Sequence, residues 1–317
     1  MFNTIARRMI LSVTGNPTVR RIVTRYGMAS PDGFARRFVA GETLDEAIEE
    51  VKKLNDIGIC ASLDYLGESV NTVEETHIAR DQILTILDMI EKTGVNSNVS
   101  VKLTQLGLDL GDDLCIENLK SIVMRAKKYG NWIRVDMESS DYTQRTIDVF
   151  NHVVERFGNA VGIVLQSYLY RTEYDVRSMN KAGAKVRLCK GAYFEPEIVA
   201  FRKKRMVDLS FVRCFELLLT GGVDPAIATH DEALIQKTKD FAKQHAIEKD
   251  TFEFQMLFGI RRDLQKQLVN EGYRLRVYVP FGTEWFPYFS RRLGERIGNV
   301  MFIVKSLYYD SQSDTSG

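Results

Sequence analysis

Short runs rich in β-branched and aromatic residues alternate along the chain with longer runs whose apolar residues recur every three or four positions. Bounded by turn signals, runs of the first kind predict strands; those of the second predict helices with one apolar face. Strands are expected at Ile59–Leu66, Val99–Leu106, Trp132–Met137, Val161–Tyr168, Ala184–Lys190, Ala226–His230, Thr251–Leu257 and Tyr273–Pro280. Helices are expected over Val73–Lys92, Ile116–Tyr129, Tyr142–Phe157 and Asp231–His245. Thr43 followed by Glu46 reads as a capping box that opens a further helix before the first strand. Gly130, Gly158, Gly183 and Gly272 fall where helices should stop.

Eight strands alternating with helices over 317 residues match the count of a closed parallel barrel. A doubly wound sheet could carry as many strands. A nucleotide-binding one, however, should show GxGxxG after an early strand, and neither that motif nor GxxxxGK[ST] occurs. The expected fold is therefore an α/β (βα)8 TIM-type barrel in a single domain. Helices would fill residues 1–57, the barrel 58–310 and a polar tail 311–317.

Composition narrows the chemistry. Hydrophobic residues make up 44% of the chain, enough for a substantial core. The 43 basic and 42 acidic residues leave a formal net charge of +1, which provides no global field for nucleic acid. Cys60, Cys115, Cys189 and Cys214 are scattered, so buried free thiols in a reducing, cytoplasmic compartment are expected in place of disulfides or zinc. His77, His152, His230 and His245 show no metal-ligand spacing, and no metal is expected. No run is long and apolar enough to span a bilayer. Residues 1–31 hold five arginines and no acidic residue, with Phe2, Ile5, Met9 and Val13 near helical spacing. An amphipathic helix packed on the domain is preferred there to a transit peptide or a membrane-surface helix.

Chemistry in a (βα)8 barrel sits at the C-terminal ends of the strands, where the βα loops converge. Polar residues occupy those ends here: Lys102, Asp136, Gln166, Arg187 with Lys190 leading into Gly191-Ala192, Thr229 with His230, Gln255 and Tyr278. One such residue could be a structural ion pair; seven strands doing the same at one end indicate a site. After the last strand, Tyr288, Arg291, Arg292 and Glu295 stand at i, i+3, i+4 and i+7, on one helical face. Trp285, Phe286 and Phe289 nearby argue for a covered site over a solvated charged face. Two planar guanidiniums suit a carboxylate, and a phosphate would fit them equally.

The ordered segments SVKLTQLG, DMES, VLQSYLYR, VRLCKGAY, ATHD, EFQMLFGIRRDLQKQL and RVYVPFGTEWFPYFSRRLGER resemble the proline dehydrogenase family, from about Phe38 to Tyr308. The likeness is to its single-function bacterial members. It implies a distorted barrel with FAD at the mouth and the last helix lying over that mouth. It implies oxidation of L-proline to Δ1-pyrroline-5-carboxylate by hydride transfer to flavin N5, with electrons passed to a membrane quinone by a protein in peripheral contact with the inner face. In this resemblance Lys102, Arg291 and Arg292 would bind the proline carboxylate. Asp136 would organise the basic residues, and Arg187 would sit beside N5. Met137, Gln166, Lys190, Gly191, Ala192, Thr229, His230 and Gln255 would contact FAD. Tyr278, Tyr288 and Leu257 would wall the proline ring, and Glu295 would anchor the arginine helix.

Three departures from the family pattern stand out: Gly298 where a proline is common, Cys189 in place of an aliphatic residue, and the basic run Phe201-Arg202-Lys203-Lys204-Arg205. That run reads equally as a pyrophosphate grip and as a solvated loop. Two other functions were weighed. One keeps the flavin barrel but moves the substrate to hydroxyproline or another cyclic imino acid, against which the Tyr288 hydroxyl should crowd a ring substituent. The other is a non-catalytic barrel, which should have lost some strand-end residues; all of them are present.

Overall fold

A computed structural model describes residues 35–67 and 70–289. Its elements run α1 (Leu44–Asn55), β1 (Cys60–Tyr65), α2 (Val73–Thr93), β2 (Ser97–Val101), α3 (Asp112–Lys128), β3 (Ile133–Val135) and α4 (Ser140–Phe157). They continue β4 (Val161–Gln166), α5 (Thr172–Lys181), β5 (Lys185–Cys189), α6 (Lys204–Gly221), β6 (Val223–Ala228), α7 (Glu232–Gln244), β7 (Glu253–Leu257), α8 (Arg262–Asn270) and β8 (Arg274–Phe281). Each strand pairs in parallel with the next, and β8 closes on β1, so the sheet has no edge.

Alternation along the strands assigns their two faces. Leu63, Val99, Val101, Ile133, Val135, Ile163, Val186, Leu188, Phe254, Leu275 and Val277 are all buried in one apolar core with stripes from the surrounding helices. Residues of the opposite parity meet across the barrel interior. Arg187 on β5 donates to Ser62 Oγ on β1 at 3.4 Å and Ser100 Oγ on β2 at 3.3 Å. Arg276 on β8 reaches Glu253 on β7 at 2.9 Å and Asn98 on β2 at 3.3 Å. Many barrels fill this space with Val, Ile and Leu; here much of it is polar.

Helix ends follow the expected chemistry. Thr43 Oγ1 accepts from Glu46 N at 3.3 Å while Glu46 Oε2 accepts from Thr43 N at 3.1 Å, completing the capping box. Gly130, Gly158, Gly183 and Gly272 take φ values of 64°, 56°, 64° and 83°, the left-handed region in which helices end. The strands differ more from expectation. β2 ends at Val101, and residues 103–110 form turns in which Leu103, Leu106 and Leu108 are buried. Their apolar spacing imitates a strand, but Leu106 and Leu108 both hydrogen-bond back to the Leu103 carbonyl. β6 starts earlier than Ala226, at Val223, because Asp224 (φ 46°) and Pro225 form a bulge that shifts its register on β5.

A second apolar cluster lies beside the mouth. Ala35, Phe38, Val39, Leu66, Ile260, Trp285, Phe286, Tyr288 and Phe289 pack together against Leu257 and Tyr278. The Trp285 indole donates to Glu42 Oε1 at 3.0 Å, tying the helical turn at 285–289 to the loop before α1. Gly259 seats this cluster on the barrel. Its φ is 71°, and a Cβ there would overlap the Arg37 carbonyl oxygen. Gly259→Ala should therefore destabilise the fold by about 1–3 kcal/mol in urea unfolding. A midpoint equal to wild type would mean that the segment at Arg37 does not pack on this turn.

Candidate active site

The strand ends converge on a cavity of about 540 Å³ at the C-terminal mouth. All the strand-end positions named from sequence line it: Lys102, Asp136, Met137, Gln166, Arg187, Lys190, Gly191, Ala192, Thr229, His230, Gln255, Leu257 and Tyr278, joined by Tyr288 from the helical turn after β8. Arg291, Arg292 and Glu295 lie outside the described residues.

Asp136 is the hub. It follows β3, and its N–H donates to the Val101 carbonyl at 2.9 Å, so the backbone fixes its place. Arg187 Nη1 donates to Asp136 Oδ1 at 2.9 Å and Tyr278 Oη to Asp136 Oδ2 at 2.7 Å. Arg187 also lies over the Tyr278 ring, 5.3 Å from its centroid. Burial, followed by the Asp136 charge, raises the Tyr278 phenol well above its ordinary value. It therefore remains a neutral donor. Lys102 Nζ lies 2.7 Å from Asp64 Oδ1 and 3.9 Å from Asp136 Oδ2. Burial opposes the Lys102 charge, but Asp64 and Asp136 outweigh it and raise the ammonium's pKa. Lys102 is thus a fixed cation and a poor candidate for a proton-accepting base.

Other strand ends form a polar wall. Gln166 Nε2 donates to the Glu138 carbonyl at 2.8 Å, and Glu138 accepts from Thr104 N and Oγ1 at 3.1 and 2.7 Å. Burial nevertheless raises the Glu138 pKa. The Leu257 N–H donates to His230 Nε2 at 2.9 Å, which leaves the neutral ring's proton on Nδ1. Gln255 is tied to Glu253 below it. Gly191 has φ 105°, and a Cβ there would run into the Tyr168 ring. Tyr168 is held in turn by Glu195 at 3.0 Å, and Glu195 also accepts from Ser140 N at 2.9 Å. The turn at 190–192 is therefore braced from two neighbouring loops.

Sequence reasoning missed Asp64, Glu138, Glu195, Asp208 and Asp231 as partners within the site. Asp64 obeys the same strand-end rule as the others and was overlooked only on β1. Asp208 and Asp231 account for Lys190, whose ammonium sits 2.7 and 2.9 Å from them instead of facing the cavity alone. Lys204 from the basic run joins Asp231 at 3.2 Å, so at least this member of the run is paired within the chain.

The strand ends of this (βα)8 barrel set two buried cations beside two carboxylates and a tyrosine-lined wall, at the face where enzymes of this fold build their active sites. Residues 47–305 match the family model described as Proline dehydrogenase. The chain is 40% identical to "Proline dehydrogenase 1" of Bacillus subtilis (strain 168) over 301 residues, 95% of this chain and 98% of the relative. It is also 40% identical to "Proline dehydrogenase" of Deinococcus radiodurans over 311 residues, 97% and 99% of the two chains. The chain belongs to the proline dehydrogenase family. Its fold is shared with a crystal structure of proline utilization A from Bdellovibrio bacteriovorus (TM-score 0.77, 24% identity), covering 90% of this chain and 38% of that one.

Lys190's pairing carries a pH consequence. Burial would raise the Asp231 pKa, but Lys190 and Lys204 lower it from 3.8 to about 2. A carboxyl depressed in the fold contributes stability above its unfolded pKa and loses it as pH falls through the folded value. Asp231→Asn keeps a side-chain cap for α7 but removes the charge. Wild type should lose stability more steeply than this variant between about pH 4 and pH 2 in urea titrations. Parallel acid limbs would show that the ion pair does not form.

Proposed function

We propose that this chain oxidises L-proline to Δ1-pyrroline-5-carboxylate with FAD, the first step of proline degradation to glutamate, and passes the electrons to a quinone. The observation that carries this reading is the Arg187–Asp136–Tyr278 unit with Lys102 beside it: a rigid polar floor under the apolar wall of Leu257 and Tyr288. Such a floor suits a small ring bearing a carboxylate.

The residues present fit a flavin. Among the described residues Arg187 Nε is buried without an acceptor, leaving a donor for a ring nitrogen or carbonyl. Met137, Val164, Ala228 and Met256 offer apolar surface, while Gln166, Thr229, His230 and Gln255 offer polar atoms for a heterocycle's edge. When bound, the flavin supplies the hydride acceptor and the route to the quinone. The protein supplies position and field. Lys102, with Arg291 and Arg292, holds the carboxylate, and Tyr278 and Tyr288 restrain the ring. Arg187, kept in place by Asp136, presents positive charge where negative charge accumulates. Lys190, Gly191 and Ala192 border the cofactor, with Lys190 shared between it and its two aspartates.

Among the described residues no helix is long and apolar enough to cross a membrane. Reaching a membrane quinone then calls for peripheral contact. Phe194 and Ile198, 66% and 84% exposed on the loop after the 190–192 turn, together with Arg202, whose guanidinium lies over the Phe194 ring, offer apolar and basic surface suited to anionic headgroups.

Purified protein should be yellow, and anaerobic L-proline should bleach it. A colourless protein that takes up no FAD would end this reading. Arg291→Ala or Arg292→Ala should raise the apparent KM for proline at least about ten-fold, with a smaller change in kcat, as loss of a charged hydrogen bond implies. An unchanged KM in both would refute the carboxylate assignment. Ile198→Glu should reduce sedimentation with anionic vesicles; full retention would move the contact elsewhere.

A further inference from the structure

One carboxylate in the mouth has no role in the family-based reading of the site. Asp64, on β1, is 1% exposed and lines the cavity. Its Oδ1 accepts from Lys102 Nζ at 2.7 Å. Its Oδ2 is equally buried and has no hydrogen-bond partner among the described residues. Both oxygens of Asp136, by contrast, are occupied, one by Arg187 and one by Tyr278.

Resting on the proline reading, we infer that Asp64 is a positioning residue which holds Lys102 for the substrate carboxylate and keeps it off Asp136. The geometry supports this division of labour. A lysine ammonium has three N–H donors, and Asp64 takes one of them from the β1 side. The others remain for an incoming carboxylate. Asp136 lies only 3.9 Å away and is the nearest other anion among the described residues. Without Asp64, a buried ammonium cannot stay unpaired in a water-poor mouth, so it would close that gap. Lys102 would then compete with Tyr278 for Oδ2 and pull Asp136 from the geometry that aims Arg187. Asp64 thus separates two tasks: Lys102 serves the substrate, and Asp136 serves Arg187 and Tyr278. The half-satisfied state of Asp64 fits this role, since a carboxylate fully engaged elsewhere would hold the ammonium less firmly.

The test is a double-mutant cycle on the FAD-loaded full chain, with Asp64→Asn and Lys102→Met. It reads the Kd of tetrahydrofuran-2-carboxylate by calorimetry and the KM and kcat for proline. This probe keeps the ring and carboxylate and lacks the amine. Asp64→Asn alone should weaken the probe about ten-fold or more, the scale of a displaced charged hydrogen bond. In the Lys102→Met background it should add less than about two-fold, because its effect passes through Lys102. A general structural role would give additive losses and overturn the inference, as would an Asp64→Asn protein within two-fold of wild type. If the single variant fails to fold, the double variant removes both buried charges together and is compared with Lys102→Met alone. Equal Kd values support the inference, and a further loss above three-fold overturns it. Wild type that binds neither probe nor proline sinks the proline reading itself; wild type that binds both, with the cycle additive, sinks only the role of Asp64.

Discussion

A charge inside a closed barrel can be neutralised only by what the barrel itself encloses. This constraint governs the whole interior. Every second residue on Arg134–Asp136, Lys185–Cys189, Glu253–Leu257 and Arg274–Tyr278 points inward, and many are charged. Leaving any such group unpaired in low dielectric costs several kcal/mol. The partners consequently come from other strands of the barrel: Asp224 takes Lys185 and Arg274, Glu253 takes Arg276, and Asp136 takes Arg187. Glu253–Arg276 and Lys185–Asp224 join neighbouring strands, whereas Asp136–Arg187 and Asp224–Arg274 each reach over one intervening strand.

Arg134 shows how the rule is met where carboxylates run out. It is fully buried and, among the described residues, has no carboxylate bonded to it; it donates to the carbonyls of Ile163 at 3.1 Å and Lys185 at 2.8 Å and lies 4.5 Å from the Trp132 ring centroid, while its Nε has no acceptor among those residues. Burial, then the Arg187 charge above it, lowers its pKa to about 9. The floor thus carries positive charge that is shared out among carbonyls and a ring face. That charge stands directly beneath Asp136 and Arg187. A mouth built on a cationic floor favours anionic ligands before any surface residue contributes.

Much of this was legible in the sequence because strand periodicity and strand-end chemistry are local. Lys102, Asp136, Arg187 and Tyr278 each end or follow an apolar run, and the fold brought them to one cavity. Asp64 lay inside CASLDY, where a lone aspartate between apolar residues did not announce a partner 38 positions away. Lys190 was legible as a site residue, but not its two aspartates, since Asp208 sits on the outer layer in α6. The start of β6 was hidden by Pro225, which argues against a strand unless a bulge excuses its missing N–H. The turns at 103–110 were hidden for the opposite reason: buried leucines imitated a strand that the backbone had already left.

Under the proposed proline reading, these partnerships let so polar a mouth take a zwitterionic imino acid. A substrate carboxylate adds one negative charge and a protonated ring amine one positive charge, so the bound molecule disturbs the local balance little. Asp136 and Asp64 already match Arg187 and Lys102 in number. Binding can then rearrange hydrogen bonds without stranding a charge. Once the amine gives up its proton the balance shifts toward the carboxylate, which the floor cations favour. Under that reading, the same charge that makes the interior costly to fold favours negative charge arriving at the mouth, a property a hydrophobic barrel of equal stability would lack.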